Sequence, residues 1–125
     1  MEIINSSPWK WQNERSYSQA VEVKNVQSTL YVSGQIAFEA SQSGNIKVEA
    51  GKVMENIGHI LKAAGFGFEN VVKSNIFLKD MNDFAVVNEV YGQFFTTEPP
   101  ARETVQVARL PKDVNVEISV IAVEL

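Results

Sequence analysis

The chain has 125 residues, of which 45% are hydrophobic and 21% are charged, and its formal net charge is −4 at neutral pH. This length and composition predict one globular domain spanning residues 1–125 and exclude an intrinsically disordered chain. The acidic balance and the lack of a lysine and arginine cluster argue against a nucleic-acid partner, and the absence of cysteine excludes disulfides, thiol nucleophiles and thiolate metal sites.

The first half of the chain predicts two strands followed by a helix. The aromatic and polar stretch Trp9–Arg15 has no period and predicts a loop. Alternating residues predict strands over residues 19–24 and 28–34. Hydrophobic residues then recur at helical spacing over residues 50–64, where Gly65 is a natural stop. Two glycines seven residues apart on one side of this helix suggest that this side packs closely against a sheet.

The second half continues with alternating strands and helices. A strand over residues 71–78 precedes a helix that begins near Asn82, and two strands follow over residues 104–108 and 114–123. The order is ββαβαββ, and two helices can cover only one face of a sheet. The sequence therefore predicts an α+β layer architecture.

The face of the sheet that the helices leave open is predicted to be an interface. In the last strand Val116, Ile118 and Val120 belong to an unbroken apolar row that should lie under the helices, whereas the opposite row is mixed and ends in Ile121 and Val123. A mixed face of this kind is usually buried against another subunit, so we predict a symmetric homo-oligomer. The alternative is a monomer with one solvated sheet face.

Arg102 is the candidate for binding an anion. It follows Pro99-Pro100, which break the preceding segment because proline supplies no backbone donor, so the arginine is held on stiff backbone where a strand begins. A fixed guanidinium suits a planar anion such as a carboxylate. The alternative is a solvated arginine at the edge of a strand.

Side-chain parity groups Arg102 with two other polar residues. If the valines of its strand point under the helices, then Arg102 lies on the open face with Ser33 and Glu117, in one chain or from separate chains. The cation and the carboxylate would form a salt bridge or frame a ligand, and the sequence leaves these two interpretations open.

Other polar residues carry weaker signals. His59, the only histidine, lies off the apolar stripe of its helix and is predicted to be solvated, so Ser33 has no histidine to activate it. No carboxylates group with histidine at ligand spacing, and we expect neither a metal nor a cofactor. Asn88 interrupts the apolar stripe of the second helix, either as part of a site or as a cap for a loop backbone.

No apolar run is long enough to cross a membrane, and the N-terminus lacks the basic and apolar parts of a signal peptide. We therefore expect a soluble, cytoplasmic protein with no membrane partner.

Several segments resemble a known family, with the motifs in order and at matching spacing from about residue 17 to the C-terminus. Among them are Tyr17-Ser18-Gln19-Ala20, Val32-Ser33-Gly34-Gln35, Asp80-Met81-Asn82-Asp83-Phe84, Val87-Asn88-Glu89-Val90-Tyr91, Pro100-Ala101-Arg102, Ala108-Arg109-Leu110-Pro111-Lys112 and Val116-Glu117-Ile118. On these segments the chain resembles the RidA/YjgF/UK114 family of enamine and imine deaminases.

The resemblance implies a chorismate-mutase-like fold that assembles as a homotrimer around the open face of the sheet, with ligand clefts between subunits. It also implies hydrolysis of 2-imino and 2-enamino acids, such as 2-aminoacrylate, to a 2-keto acid and ammonia without a cofactor. Arg102 would bind the substrate carboxylate, and Glu117 would position water or move a proton at the imine carbon. The other cleft positions that it implies are Tyr17, Ser33, Asn88 and the backbone of Gly34 and Thr104.

Two other functions remain open at this point. A regulatory protein that binds small carboxylates without turning them over is suggested by Glu103, whose negative charge next to Arg102 would weaken anion binding even if parity points it away, and by the unusual Trp9–Trp11 segment. Ribonuclease-like inhibition of translation, proposed within the family, is disfavoured by the acidic balance of the chain.

Overall fold

The computed structural model describes residues 1–4 and 17–125, so the predicted loop at Trp9–Arg15 lies outside the described residues. The strands are β1 (Glu2–Ile4), β2 (Ala20–Glu22), β3 (Ser28–Gln35), β4 (Val71–Leu78), β5 (Ala101–Gln106) and β6 (Val116–Glu124). The helices are α1 (Phe38–Ser41), α2 (Ile46–Ala63) and α3 (Phe84–Gly92), and short 3₁₀ helices occur at Phe68–Asn70, Met81–Asp83 and Pro111–Asp113.

The predicted α+β architecture is confirmed. Four strands form a mixed sheet in the order β3-β6-β4-β5, in which β4 and β5 are parallel and joined by α3, while the other neighbours are antiparallel. β1 and β2 form a separate antiparallel pair. The sequence did not predict β1 or α1, and it placed the start of β5 three residues too late.

Local signals at both ends of α2 explain its bounds. The side chain of Asn45 caps the first turn, where its Oδ1 accepts hydrogen bonds from the backbone N–H groups of Lys47 at 3.1 Å and Val48 at 3.2 Å. This cap starts the helix four residues before the predicted apolar period. At the other end Gly65 has a φ of +83°, a left-handed conformation that ends the helix as predicted.

The core lies between one face of the four-stranded sheet and the two longer helices. The predicted inward row of β6 is confirmed, because Val116, Ile118, Val120 and Ala122 are all buried while the residues between them are half-buried up to Ile121. These side chains pack with buried residues of α2, namely Ala50, Val53, Met54, Ile57 and Leu61, and with Val87, Val90 and Tyr91 of α3.

The two glycines of α2 pack against elements other than the sheet, so that prediction was wrong. A Cβ at Gly51 would meet Val90 of α3 at 4.0 Å, which is ordinary contact between helices. A Cβ at Gly58 would lie 3.1 Å from the ring of Phe68 in the turn that follows α2. Of these two glycines, only Gly58 lies too close to a neighbouring group to accept a side chain easily, and that group is the ring of Phe68.

A buried carboxylate that the sequence analysis missed joins α2 to the start of β6. Glu49 is almost fully buried, and its two oxygens accept hydrogen bonds from Asn115 Nδ2 at 2.7 Å and from the backbone N–H groups of Asn115 and Val116 at 2.9 and 3.2 Å. A buried carboxylate is tolerated only when such donors surround it. Glu49 thus fixes the beginning of the strand that carries Glu117.

We expect Glu49→Ala to lower the free energy of unfolding by about 3 kcal/mol, because it leaves the buried N–H of Val116 and the half-buried N–H of Asn115 without an acceptor. Chemical denaturation monitored by circular dichroism measures this change. Glu55→Ala is the matched control, since Glu55 lies on the same helix but is exposed. Equal midpoints for the two variants would contradict a structural role for Glu49.

Candidate functional site

Arg102 lies within β5 and points toward the helices. In the parallel pairing of β4 and β5, Arg102 is opposite Ser74 and Thr104 is opposite Ile76. Residues paired in this way share a face of the sheet, and both Ser74 and Ile76 are buried under the helices. The prediction that Arg102 lies on the open face was therefore wrong.

The error came from the valines of β5. Val105 was placed under the helices because it is apolar, but it is opposite Phe77 on the open face and is 45% exposed. β5 is an edge strand of the four-stranded sheet, so its outer residues need not follow the pattern of a fully covered strand. The strand begins directly after the second proline, because every residue of β5, from Ala101 to Gln106, again has an N–H group to donate.

The guanidinium of Arg102 is held by an amide and three aromatic rings. Its Nη1 donates a hydrogen bond of 2.6 Å to Oδ1 of Asn88 on α3. Its central carbon lies 4.7 Å from the ring centre of Tyr17, 5.1 Å from that of Tyr91 and 5.9 Å from that of Phe84. These contacts orient the guanidinium through hydrogen bonding and cation–π attraction. Asn88 thus belongs to this site.

Burial shifts the ionisation of both Arg102 and Tyr91. Burial lowers the pKa of the Arg102 guanidinium, which the neighbouring Tyr91 and Tyr17 partly oppose. Burial raises the pKa of Tyr91 to about 12, although a hydrogen bond to Ser74 and the charge of Arg102 act in the other direction. Because a guanidinium is not deprotonated in proteins, Arg102 stays charged at neutral pH despite this lowering of its pKa. Tyr91 stays a neutral phenol, whose hydroxyl lies 2.9 Å from Oγ of Ser74.

A pocket of about 330 Å³ opens beside this guanidinium. Its lining comes from Tyr17, Phe84, Arg102, Glu103 and Thr104. The hydroxyl oxygen of Thr104 is buried and has no hydrogen-bond partner among the described residues. A buried hydroxyl without a partner is unusual and indicates a donor that is available to a ligand. The pocket therefore combines a fixed cation with a free hydroxyl.

Ser18 holds Tyr17 against this pocket, a role that no pattern in the sequence predicted. Its backbone N–H donates to the carbonyl of Pro100 at 3.0 Å, and its hydroxyl donates to the carbonyl of Pro99. Ser18 also forms an isolated parallel bridge with Ala101. The two prolines that precede Arg102 thus offer carbonyls to the segment that carries Tyr17.

Ser33, Gly34 and Glu117 lie together on the other side of the sheet. Val32 is opposite Val120 and Gln35 is opposite Ile118, so β3 has one extra residue at Ser33-Gly34, which is a β-bulge. A Cβ at Gly34 would lie 2.7 Å from the carboxyl carbon of Glu117. Only glycine therefore lets this carboxylate lie against the bulge.

Glu117 projects onto the open face with the half-buried Phe77 as its pairing partner in β4. The structure therefore groups the predicted site residues into two sets on opposite faces. Tyr17, Asn88, Arg102 and Thr104 lie on the helix side at one edge, whereas Ser33, Gly34 and Glu117 lie on the open face.

Glu103 points away from Arg102, as parity predicted. Its Oε1 lies 2.8 Å from Nζ of Lys73 on the neighbouring strand, where the two form a salt bridge. The positive charge of Lys73 opposes the effect of this carboxylate on Arg102.

Two further predictions concern groups outside the pocket. His59 is exposed on α2, as predicted. The described ranges, 1–4 and 17–125, contain no group of three or more histidine, cysteine, aspartate or glutamate residues able to hold a metal ion. Among the helices of those same ranges, none has the length and apolar character needed to cross a membrane.

Comparisons with known sequences give a consistent match. The sequence profile of the family described as Endoribonuclease L-PSP matches residues 10–124. Human 2-iminobutanoate/2-iminopropanoate deaminase is 47% identical over 112 residues, which cover 86% of this chain and 80% of the human protein. A RutC family protein of Synechocystis is 50% identical over 113 residues, which cover 86% of this chain and 85% of that protein.

Solved structures match over a similar length. RidA from an Antarctic Psychrobacter species has a TM-score of 0.71 and 44% identity, with 89% of this chain and 90% of that chain covered. TdcF of E. coli, solved with bound serine, has a TM-score of 0.71 and 41% identity, with 87% of this chain and 88% of that chain covered.

Proposed function

Because the chain belongs to the endoribonuclease L-PSP family, which includes the RidA proteins, we propose that it is an enzyme that hydrolyses reactive 2-imino and 2-enamino acids to 2-keto acids and ammonia. Relatives at 47% identity are named 2-iminobutanoate/2-iminopropanoate deaminase. The substrate class is small carboxylates such as 2-iminopropanoate and its tautomer 2-aminoacrylate. The reaction needs neither a metal nor a cofactor, since an imine carbon is already electrophilic.

The observation that carries this proposal is the fixed guanidinium of Arg102. Asn88 and the rings of Tyr17 and Tyr91 hold it at a pocket where the hydroxyl of Thr104 has no partner among the described residues. A planar carboxylate matches the fork of guanidinium donors, and the hydroxyl adds a third donor for the same group. The backbone of Thr104 also borders this pocket and would supply a further hydrogen bond to the substrate.

A second subunit completes the site in this proposal. Arg102 and Glu117 are on opposite faces of one sheet, so one small substrate would contact both only if Glu117 came from a neighbouring copy. The open face supports such an assembly, because it carries the exposed side chains of Tyr31 and Val105, 74% and 45% exposed, beside the half-buried Phe77. We propose a homotrimer around this face, with ligand clefts between its subunits.

Ile121→Lys is expected to break this assembly. Ile121 lies on the open face, between Tyr31 and Lys73 in the sheet, so a second ammonium there would be desolvated and repelled. Sedimentation should give the unaltered protein three times the mass of the 13.9-kDa chain, and the variant a smaller mass. Val86→Lys is the matched control, since Val86 is exposed on α3. A monomer mass for the unaltered protein would contradict the proposed homotrimer.

In the proposed mechanism the carboxylate and the water are positioned from two subunits. Arg102 and Thr104 hold the substrate carboxylate, which places the imine carbon at the cleft. Glu117 of the partner subunit, beside Gly34 of the same partner subunit, takes a proton from water as the oxygen attacks this carbon, and passes that proton to the imine nitrogen to give a carbinolamine. Tyr17, and Ser33 of the partner subunit, would close the cleft around the substrate.

The carbinolamine then collapses. Glu117 takes the proton of the new hydroxyl group and passes it to the amino nitrogen, so the C–N bond breaks, ammonia leaves and a keto group remains. One water is consumed and one ammonia is released, and Glu117 ends in its starting state. An enamine substrate first gains a proton at its β-carbon and loses one from nitrogen.

The test is an assay in which a dehydratase releases 2-aminoacrylate from serine in the presence of the protein. The proposal expects 2-keto acid and ammonia to form faster from the released intermediate than they do without the protein. Equal rates with and without it would overturn the proposed function. A short-lived imine must be hydrolysed in the compartment where it forms, and we propose the cytoplasm as that compartment.

A further inference from the structure

A second pocket, of about 370 Å³, lies on the helix side of the molecule between the end of α2, the turn that follows it and the segment after α3. It shares no lining residue with the pocket beside Arg102. An assembly through the open face of the sheet leaves this side of the subunit accessible. We call it the phenylalanine pocket, and its lining residues are Gly58, Lys62, Phe66, Gly67, Phe68, Glu69, Phe94, Phe95, Thr96 and Thr97.

Four of the seven phenylalanines in the chain line this one pocket. The ring of Phe68 lies 5.4 Å from that of Phe94 in a tilted arrangement and 5.5 Å from that of Phe95 in an edge-on arrangement. All four phenylalanines remain partly exposed, in contrast to the fully buried core under the sheet. The walls therefore present aromatic surface that a planar or branched apolar group would cover.

Glycine at position 58 makes this aromatic wall possible. A Cβ there would approach the ring of Phe68 to 3.1 Å, so Phe68 lies directly on the backbone of α2. Gly67 has a related role, because a Cβ at this position would lie 2.6 Å from the carboxyl carbon of Glu69. The carboxylate of Glu69 is thus folded back over Gly67, toward the pocket rather than along the turn.

Two opposite charges stand at the rim of the phenylalanine pocket. Lys62 lies one helical turn after Gly58 on the same side of α2, and Glu69 lies in the turn that follows. Within the described residues neither side chain forms a salt bridge or a hydrogen bond. The pocket therefore offers an ammonium, a carboxylate and an aromatic wall to one small molecule.

We propose that this pocket binds a free α-amino acid with a large apolar side chain, such as phenylalanine or leucine. The carboxylate of the ligand pairs with Lys62, its ammonium pairs with Glu69, and its side chain packs on Phe68, Phe94 and Phe95. A simple carboxylate would leave Glu69 unpaired and repelled, and a simple amine would do the same to Lys62. Only a zwitterion with an apolar group meets all three features of the pocket.

The position of the pocket connects it to the site beside Arg102 through aromatic rings. The ring of Phe95 lies 4.7 Å from that of Tyr91, which in turn lies 5.1 Å from the guanidinium carbon of Arg102. The binding proposal does not depend on turnover, so it can be tested separately from the proposed hydrolysis.

Calorimetric titration with L-phenylalanine tests this proposal. We expect binding with a Kd of about 1 mM or tighter, and no comparable binding of 3-phenylpropanoate or 2-phenylethylamine, each of which lacks one charge. Glu69→Gln and Lys62→Gln should each weaken L-phenylalanine binding about tenfold, a change typical of losing one charge-assisted contact. Glu89→Gln and Lys47→Gln, two exposed positions on helices, are the matched controls and should bind as the unaltered protein does.

The same titration is repeated in the Arg102→Met variant, because an amino acid could also enter the pocket beside Arg102. Binding must persist in this variant, and the backbone amide resonances of Gly58 and Gly67 must shift on addition of L-phenylalanine. Loss of binding in Arg102→Met, unaltered binding in both Glu69→Gln and Lys62→Gln, or no binding to the unaltered protein would each overturn the proposal.

Discussion

The substitution Arg102→Met is expected to lower kcat/KM for imino acid hydrolysis by about 100-fold or more, so that the assay returns nearly to the spontaneous rate. A charge-assisted, two-point contact with the substrate carboxylate contributes about 3 kcal/mol, and each 1.4 kcal/mol is a factor of ten in rate. Methionine suits the test because the rings of Tyr17, Phe84 and Tyr91 can pack on its apolar side chain. Initial rates in the dehydratase-coupled assay measure the effect.

Two further variants separate charge from geometry at this position. Arg109→Met removes an exposed arginine and should leave the rate unchanged. Arg102→Lys keeps a positive charge, but an ammonium cannot hold both Asn88 and the two oxygens of a carboxylate in one plane. We expect KM to rise in Arg102→Lys with a smaller loss of kcat. Full activity in Arg102→Met would contradict the assignment of Arg102 as the carboxylate-binding residue.

The case for a protein that only binds carboxylates depended largely on Glu103. A free negative charge beside Arg102 would weaken anion binding, but the Glu103 carboxylate is 2.8 Å from the ammonium of Lys73 and points to the open face. Glu103 also borders the pocket, but its charged end is paired with Lys73, while Arg102 and Thr104 lie on the pocket side of β5. This geometry favours a site that binds a carboxylate well, and the activity named for the relatives favours turnover over binding alone.

The sequence predicted the core because its strongest patterns come from elements covered on one full face. Val116, Ile118, Val120 and Ala122 alternate in β6 and are buried. The period of α2 and the stop at Gly65 are equally clear, since a helix that buries one stripe must repeat its apolar residues at helical spacing. Most of the fold follows from these elements and from the short connections between them.

The side on which Arg102 lies could not be predicted in the same way. β5 has only one neighbour in the four-stranded sheet, and both of its faces carry residues that are at least partly exposed. An apolar residue such as Val105 then carries no information about which face the helices cover, because a face buried by another subunit selects the same residue types. The pairing register of β5 with β4 determines the face on which Arg102 lies. This register depends on both strands and not on β5 alone.

The contacts made by Glu49 and Ser18 could not be predicted from the sequence for a different reason. Glu49 is 66 positions from Asn115 along the chain, and Ser18 is 81 positions from Pro99. A buried polar side chain gives no periodic signal, since its partners are set by the packed fold and not by its neighbours in sequence. The sequence around Gly34 is compatible with a β-bulge, because bulges favour glycine. It does not predict the carboxylate that lies against this glycine, because that carboxylate comes from another strand.

The two sets of site residues have a direct consequence for catalysis. In the proposed mechanism the set around Arg102 binds the substrate and the set around Glu117 acts on water, so neither set would be an active site without the other. Since the four-stranded sheet separates them within one chain, assembly and activity should be lost together. This expectation distinguishes the proposed enzyme from a monomeric carboxylate-binding protein.

Glu117→Gln is expected to lower kcat by about 100- to 1,000-fold with little change in KM, because glutamine keeps the shape of the side chain but cannot take a proton from water. Steady-state rates at saturating imino acid, generated by the coupled dehydratase, measure this split. Glu124→Gln is the control, since Glu124 is an exposed carboxylate on the same strand. A rise in KM with kcat unchanged would instead assign Glu117 to binding.

Mixing the two inactive variants tests where Glu117 acts. If each cleft takes Arg102 from one subunit and Glu117 from the next, then trimers reassembled from equal amounts of Arg102→Met and Glu117→Gln chains contain about a quarter of clefts with both residues intact. Activity should therefore return on mixing, to about a quarter of the unaltered rate, although each variant alone is inactive. If both residues acted from the same chain, every cleft would lack one of them and mixing would restore nothing. Recovery on mixing thus requires the substrate to bridge two subunits, as the opposite faces of Arg102 and Glu117 demand.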